Sequence, residues 1–290
     1  MSNRTTSNQC NLAALASLLV SSIAFAGDNL DAEFNPLLSS YEATKLSAGT
    51  RINSSNIASY RQWLDDSVAD LIADQALTLT LGPSLEIPIH PNYRKASEEN
   101  LNETAIGDAP GELLGYAGGR PFLKLESSDP QAGLKAAWNM RYSYAPDETE
   151  TEQFNWHYRD MRKDKIERTL KMYGAILRYK YRHTDKPIPA LANNPSNLYT
   201  ALYLQVKAPQ DIRNTQLLIH RNEVDSVTEQ AWMYMSSQRR VRRLATGQKT
   251  DAFLGSDIMI EDFLGYNGRI MDMHWQYLGS DELLLPIYGH

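Results

Sequence analysis

The sequence predicts a mainly β fold of the α+β class: an antiparallel, meandering sheet with N-terminal helices packed on it. Three observations lead there. Apolar and polar residues alternate with a period of two along Tyr173–Arg182, Leu198–Lys207 and Met271–Tyr277. That period belongs to a sheet with one buried and one wet face. The connections after Lys171 are short and hold no strong crossover helix, so neighbouring strands run antiparallel. Helical periodicity is confined to the first half of the 290-residue chain.

The elements follow in chain order. Arg4 precedes an apolar run of 14 residues, Leu12–Phe25, which ends in Ala24-Phe25-Ala26. This reads as a cleaved secretory signal over residues 1–26, too short for a stable membrane span. The lone Cys10 lies within it, so the mature chain carries no disulfide. The expected address is the periplasm. Residues 27–58 read as an N-terminal extension with weak periodicity, and 59–290 as the folded domain. Ser59 and Gln62 fit a capping box. Leu64, Val68, Leu71 and Ile72 then recur at helical spacing, predicting a helix from about Ser59 to Ala76. Prolines and glycines between Leu77 and Glu126 favour extended segments and turns. Asp129-Pro130 starts a short helix, with Leu134, Ala137 and Trp138 on its apolar stripe.

The sheet follows. Tyr173, Ala175, Leu177, Tyr179 and Tyr181 form one face of the first run, and Leu198, Thr200, Leu202, Leu204 and Val206 one face of the second. Met271, Met273, Trp275 and Tyr277 form one face of a third. Shorter strand-like runs occur at Gln216–His220, Ala231–Ser236, Asp257–Phe263 and Glu282–Ile287. The chain has 16 tyrosines against 6 phenylalanines. Tyrosine and methionine suit a part-wet, adaptable surface. A concave face lined this way suits a greasy ligand; the alternative is ordinary core beneath helices and loops.

Charge and motifs narrow the chemistry. The net charge of −6 becomes −7 once Arg4 is removed. This argues against nucleic-acid binding and against a general affinity for anionic membranes. The six histidines have no metal-ligand spacing, so neither a metal nor another cofactor is expected. No nucleophile elbow, dinucleotide loop or phosphate loop is present, and Gly115-Tyr116-Ala117-Gly118-Gly119 reads as a turn. Asp257, Glu261 and Asp262 cluster, but on a strand Asp257 and Glu261 stand about 13 Å apart, too far for a glycosidase pair. Arg239, Arg240, Arg242 and Arg243 need anionic partners. These are either neighbouring acidic residues in structural ion pairs or a lipid headgroup.

The segment AWMYMSSQRRVRRL and the following FLGSDIMIEDF carry a resemblance. Trp232, Tyr234, Arg239, Arg240, Val241, Arg242, Arg243, Phe253, Gly255, Ser256, Asp257, Glu261 and Asp262 match a motif of outer-membrane lipoprotein-sorting proteins, the LolA/LolB-like superfamily. A usual proline is replaced at Ser236 or Ser237. Upstream, Gly119, Arg120, Pro121, Phe122, Asp129, Pro130, Ala132, Gly133, Ala137, Trp138, Asn139 and Tyr142 look like an uncharacterised proteobacterial periplasmic family of that fold. The resemblance covers most of residues 60 to 290. It implies a strongly curved sheet forming an incomplete barrel around an apolar cavity, with no catalytic residues. It implies a carrier for a lipid or other hydrophobic molecule, working beside envelope export systems. Members of the family extend further at the C-terminus, so a truncated chain is expected. The cavity candidates are Trp138, Tyr179, Leu202, Leu204, Trp232, Tyr234, Met271, Met273 and Trp275. Rival functions are a periplasmic glycan hydrolase using Glu261 or Asp262, and a structural partner of an envelope export complex.

Overall fold

The computed structural model describes residues 46–82, 89–101, 103–160, 162–163, 165–245, 250–263, 265–281 and 283–284. The expected signal segment, most of the N-terminal extension and most of the Glu282–Ile287 run lie outside the described residues.

Strands β5 (Glu148–Asp160), β6 (Lys165–Arg178), β7 (Leu198–Ala208), β8 (Gln216–Asn222), β9 (Gln230–Met235) and β10 (Arg240–Leu244) form one antiparallel sheet. Its strand order is the chain order, a pure meander, as short connections require. The sheet is curved and does not close into a barrel, so β5 and β10 are its edges. Register shifts between β5 and β6, β6 and β7, and β7 and β8 add twist where extra residues are accommodated. Two small ribbons, β1 (Arg51–Ile52) with β2 (Leu79–Thr80) and β3 (Ala105–Ile106) with β4 (Leu113–Leu114), lie earlier in the chain.

The N-terminal helix is shorter than its periodicity predicts. Two 3-10 turns, Ile57–Ser59 and Arg61–Trp63, precede α1 (Asp66–Ala73). Leu64 is extended and breaks the run, and Asp65 caps α1 by accepting the Ser67 amide. Ser59 makes no cap. A helix also lies where prolines predict extended chain. In α2 (Pro91–Glu99), Pro91 occupies the first turn, where its missing N–H costs nothing, and the His90 ring accepts the Asn92 amide. The third helix, α3 (Ala132–Arg141), starts two residues later than Asp129-Pro130 predicts: Asp129 accepts the Gln131 amide in a turn, Gln131 is the N-cap, and the helix buries Ala137 and Trp138.

Strand β5 escapes the period-two reading because its first half, Glu148–Gln153, is polar on both faces. Two strand expectations are overturned. Met271–Tyr277 is a 3-10 turn, Ile270–Asp272, followed by irregular chain. The amides of Ile270 and Met271 bond to the Asp225 carboxylate and not to a neighbouring strand. Asp257–Phe263 is a single bridge, Ala252 to Met259, and a 3-10 turn at Ile260–Asp262.

One face of the sheet is the core. Trp156, Leu170, Met172, Leu204, Val206, Leu217, Ile219 and Ala231 are buried beneath Phe253, Ile260 and Phe263. On β6 this is the opposite face from the one the alternation suggested: Leu170 and Met172 go in, while Tyr173, Ala175 and Leu177 stay half-exposed. A second cluster gathers Phe122, Trp138, Tyr142, Tyr199 and Ile270. Tyr199 sits at the β7–β8 register shift, which turns its ring toward the Arg178 guanidinium, 5.7 Å away.

Candidate functional site

The sheet's other face is the candidate site. Directly paired residues share a face, so the register traces rows across the strands. One row runs Glu150, Ala175, Tyr203, Leu218, Trp232, Arg243, from edge strand β5 to edge strand β10. The next runs Tyr173, Gln205, Gln216, Tyr234, Val241. None of these side chains joins a buried cluster, so among the described residues nothing outside the sheet packs on them as core. They shield one another: Tyr173 meets Tyr203 edge-on at 6.0 Å, and His220 meets Trp232 edge-on at 5.1 Å. Val241 is 65% exposed. The Tyr173 hydroxyl donates to Glu150 at 2.8 Å, which raises its pKa. Burial lowers that of His220. The face thus groups tyrosine, tryptophan, leucine and valine side chains, with Gln205 and Gln216 among them and Glu150 and Arg243 at the two edges.

The expected cavity residues are dispersed over the molecule. Trp232 and Tyr234 lie on the open face. Leu202 and Leu204 point the other way, into the core beneath Phe253–Phe263. Trp138 is 2% exposed and stacks on Tyr142 in the second cluster, which Trp275 also joins. The Trp275 indole donates to the Ile270 carbonyl. Tyr179 lies just past β6 and pairs by backbone with Tyr199. Met271 is held through its amide by Asp225, while Met273 is 49% exposed.

The motif charges are separated too. Arg239, Arg240, Arg242 and Arg243 are all exposed. Among the described residues no ion pair joins them to Asp257, Glu261 or Asp262. Asp257 is exposed, and Asp262 accepts the Met259 amide within its own turn.

The charges that do hold the fold were missed by sequence reading. Asp225 accepts the Ile270 and Met271 amides and pairs with Arg141 at 3.1 Å. Arg141 also donates to the Gly268 carbonyl, and Arg221 to Glu229 and the Asn267 carbonyl. Together they clip residues 267–271 to β8 and α3. Burial, with Arg141 nearby, lowers the Arg221 pKa to about 10. A second network centres on Asp147, whose Oδ2 accepts the amides of His183, Thr184 and Asp185 at 2.6–3.0 Å. Burial pushes this carboxyl up, but those amides more than offset it and hold it below the usual range. His183 is lowered by burial and by Arg178, whose Nη1 lies 3.2 Å from its Nδ1. Local spacing does not betray the contacts of Asp147 with residues 183–185, or those that reach Asp225 and residues 267–271, because these partners lie 36 to 127 residues apart.

Among the described residues no helix is long and apolar enough to cross a membrane. The chain is 25% identical over 224 residues to an uncharacterized protein of Pseudomonas aeruginosa, covering 69% of this chain but only 44% of that relative. A crystal structure from Desulfovibrio piger, of the same family as the sequence match below, is similar at a TM-score of 0.40 and 17% identity. It covers 53% of this chain and 57% of that one. A structure described as an outer membrane lipoprotein-sorting protein domain, from Vibrio parahaemolyticus, gives a TM-score of 0.36 and 16% identity, over 49% and 51% of the two chains. The family model described as "Protein of unknown function (DUF1329)" matches residues 51–289, a span that contains both motifs on which the sequence resemblance rests. The chain belongs to the DUF1329 family.

Proposed function

We propose that this protein is a non-catalytic binding protein that carries a lipid or other hydrophobic molecule in the cell envelope. The ligand lies on the open face of the six-stranded sheet. The observation that carries this reading is the row Ala175, Tyr203, Leu218 and Trp232, flanked by Tyr234 and Val241, which the described residues leave uncovered. Aromatic and aliphatic side chains left at a water interface gain free energy when an apolar ligand removes them from solvent. The secretory character of residues 1–26 supports a periplasmic address, and osmotic-shock fractionation checks it.

Delipidated protein mixed with a fluorescent polyene fatty acid tests the binding. Saturable uptake is expected. Val241→Glu places a carboxylate on the exposed part of the face and weakens uptake on the order of tenfold while leaving the fold intact. Absence of uptake by folded wild-type protein, or uptake indifferent to this change, overturns the reading.

A further inference from the structure

The edge strand β10 stands out for its unpaired charge. Arg141, Arg168, Arg182, Arg221 and Arg269 are each held by a carboxylate. Arg239, Arg240, Arg242 and Arg243 are not: among the described residues none makes an ion pair or a side-chain hydrogen bond, and all four are exposed. The chain has 35 acidic residues against 29 basic ones, so carboxylates are not scarce. The register separates the strand's guanidiniums. Arg243 pairs with Trp232 and shares the open face, whereas Arg242 pairs with Met233 and shares the packed face.

Resting on the binding function above, we propose that the ligand is a monomeric long-chain amphiphile with an anionic headgroup, lying across the strands. The headgroup sits at Arg243 on the β10 edge. The tail runs over Trp232, Leu218 and Tyr203 to Ala175. Those four inter-strand steps, at about 4.8 Å each, span roughly 19 Å. One bilayer leaflet is roughly 15 Å of hydrocarbon, so a long acyl chain fits the row. The guanidinium fork matches a carboxylate or phosphate in two-point geometry. Orientation follows from the far end of the same row, where Glu150, already bonded to Tyr173, repels an anion. A bilayer surface is a poorer occupant, because the net charge of −6 opposes approach to anionic lipid.

The test compares a fluorescent polyene fatty acid with the alcohol of the same chain, both titrated into purified protein. The acid is expected to bind about fivefold tighter than the alcohol, the scale of one exposed ion pair. Arg243→Gln removes that advantage and leaves alcohol binding unchanged. Arg242→Gln makes the same change in net charge on the other face and leaves both unchanged. Displacement of the acid by a lysophosphatidate, lost in Arg243→Gln, equally supports an anionic headgroup and identifies phosphate as its source. Equal binding of acid and alcohol overturns the proposal, as does equal loss in both arginine variants. Capture by anionic vesicles without monomer binding overturns it in favour of a membrane surface. If neither probe binds the wild type, the broader binding function fails with it.

Discussion

The two faces of the sheet are built from the same strands with the same alternation, yet they have opposite fates. On one, the chain returns: Phe253–Phe263 covers β5–β9 as core, and the segment through Ile270 and Trp275 crosses α3. On the other, among the described residues, Tyr203, Leu218 and Trp232 are sheltered only by their neighbours in the sheet. Apolar alternation therefore marks both a core and a face that the described residues leave uncovered. What separates them is whether the chain supplies its own cover and has buried charges to clamp it. Asp225, Arg141 and Arg221 are that clamp, holding backbone carbonyls and amides of residues 267–271.

Changes on the packed side should therefore cost stability and spare uptake, and changes on the open side the reverse. The largest effect is expected at the clamp. Asp225→Ala leaves Arg141 buried without its carboxylate and should cost about 3–5 kcal/mol in denaturant unfolding. Ligand uptake per folded molecule stays unchanged. Next comes Gly133→Ala in α3. A Cβ there would lie 2.2 Å from the Trp275 carbonyl oxygen, which belongs to backbone and cannot swing away. Alanine normally stabilises a helix by up to about 1 kcal/mol relative to glycine. Here a net loss of about 1–3 kcal/mol is expected, and a gain would show that the covering segment is not seated on α3.

The smallest effect concerns pH. The folded pKa of His183 lies below the ordinary 6.5. Between that depressed value and 6.5 the unfolded chain binds more protons, so stability falls as pH drops through the window. Melting temperature should decline from about pH 7.5 to about pH 5.5, and His183→Phe should flatten the decline while keeping the ring between Tyr93 and Tyr144. His220 is shifted in the same direction, so part of the slope remains. An unchanged slope would remove His183 as its source.

Much of the fold was legible in local pattern. β7 shows its alternation plainly, and Asp129-Pro130 locates the start of α3 to within two residues. The meander follows from short connections. Other elements were hidden by composition. The polar opening of β5 carries no apolar alternation, and Pro91 disguises α2 as a turn. The Met271–Trp275 alternation imitates a strand, but Asp225 holds the Ile270 and Met271 amides in a turn, and Ile270 and Trp275, five residues apart, both reach inward, which a strand does not allow. For the site, Trp232 and Tyr234 were identifiable as aromatic residues on a strand. Which face they occupy, and that Leu202 and Leu204 occupy the other, depends on pairing register. A one-residue slip exchanges the faces, so no single-strand pattern decides it.

The central claim is that a ligand lies against Trp232. It is tested most directly by quenching of intrinsic fluorescence with a brominated fatty acid. The protein has five tryptophans, and Trp138 and Trp156 are buried on the packed side. Saturable quenching of part of the emission is expected, and Trp232→Phe should abolish that quenched fraction while binding, followed with the polyene acid, persists. Quenching that survives Trp232→Phe would place the ligand elsewhere and contradict the account.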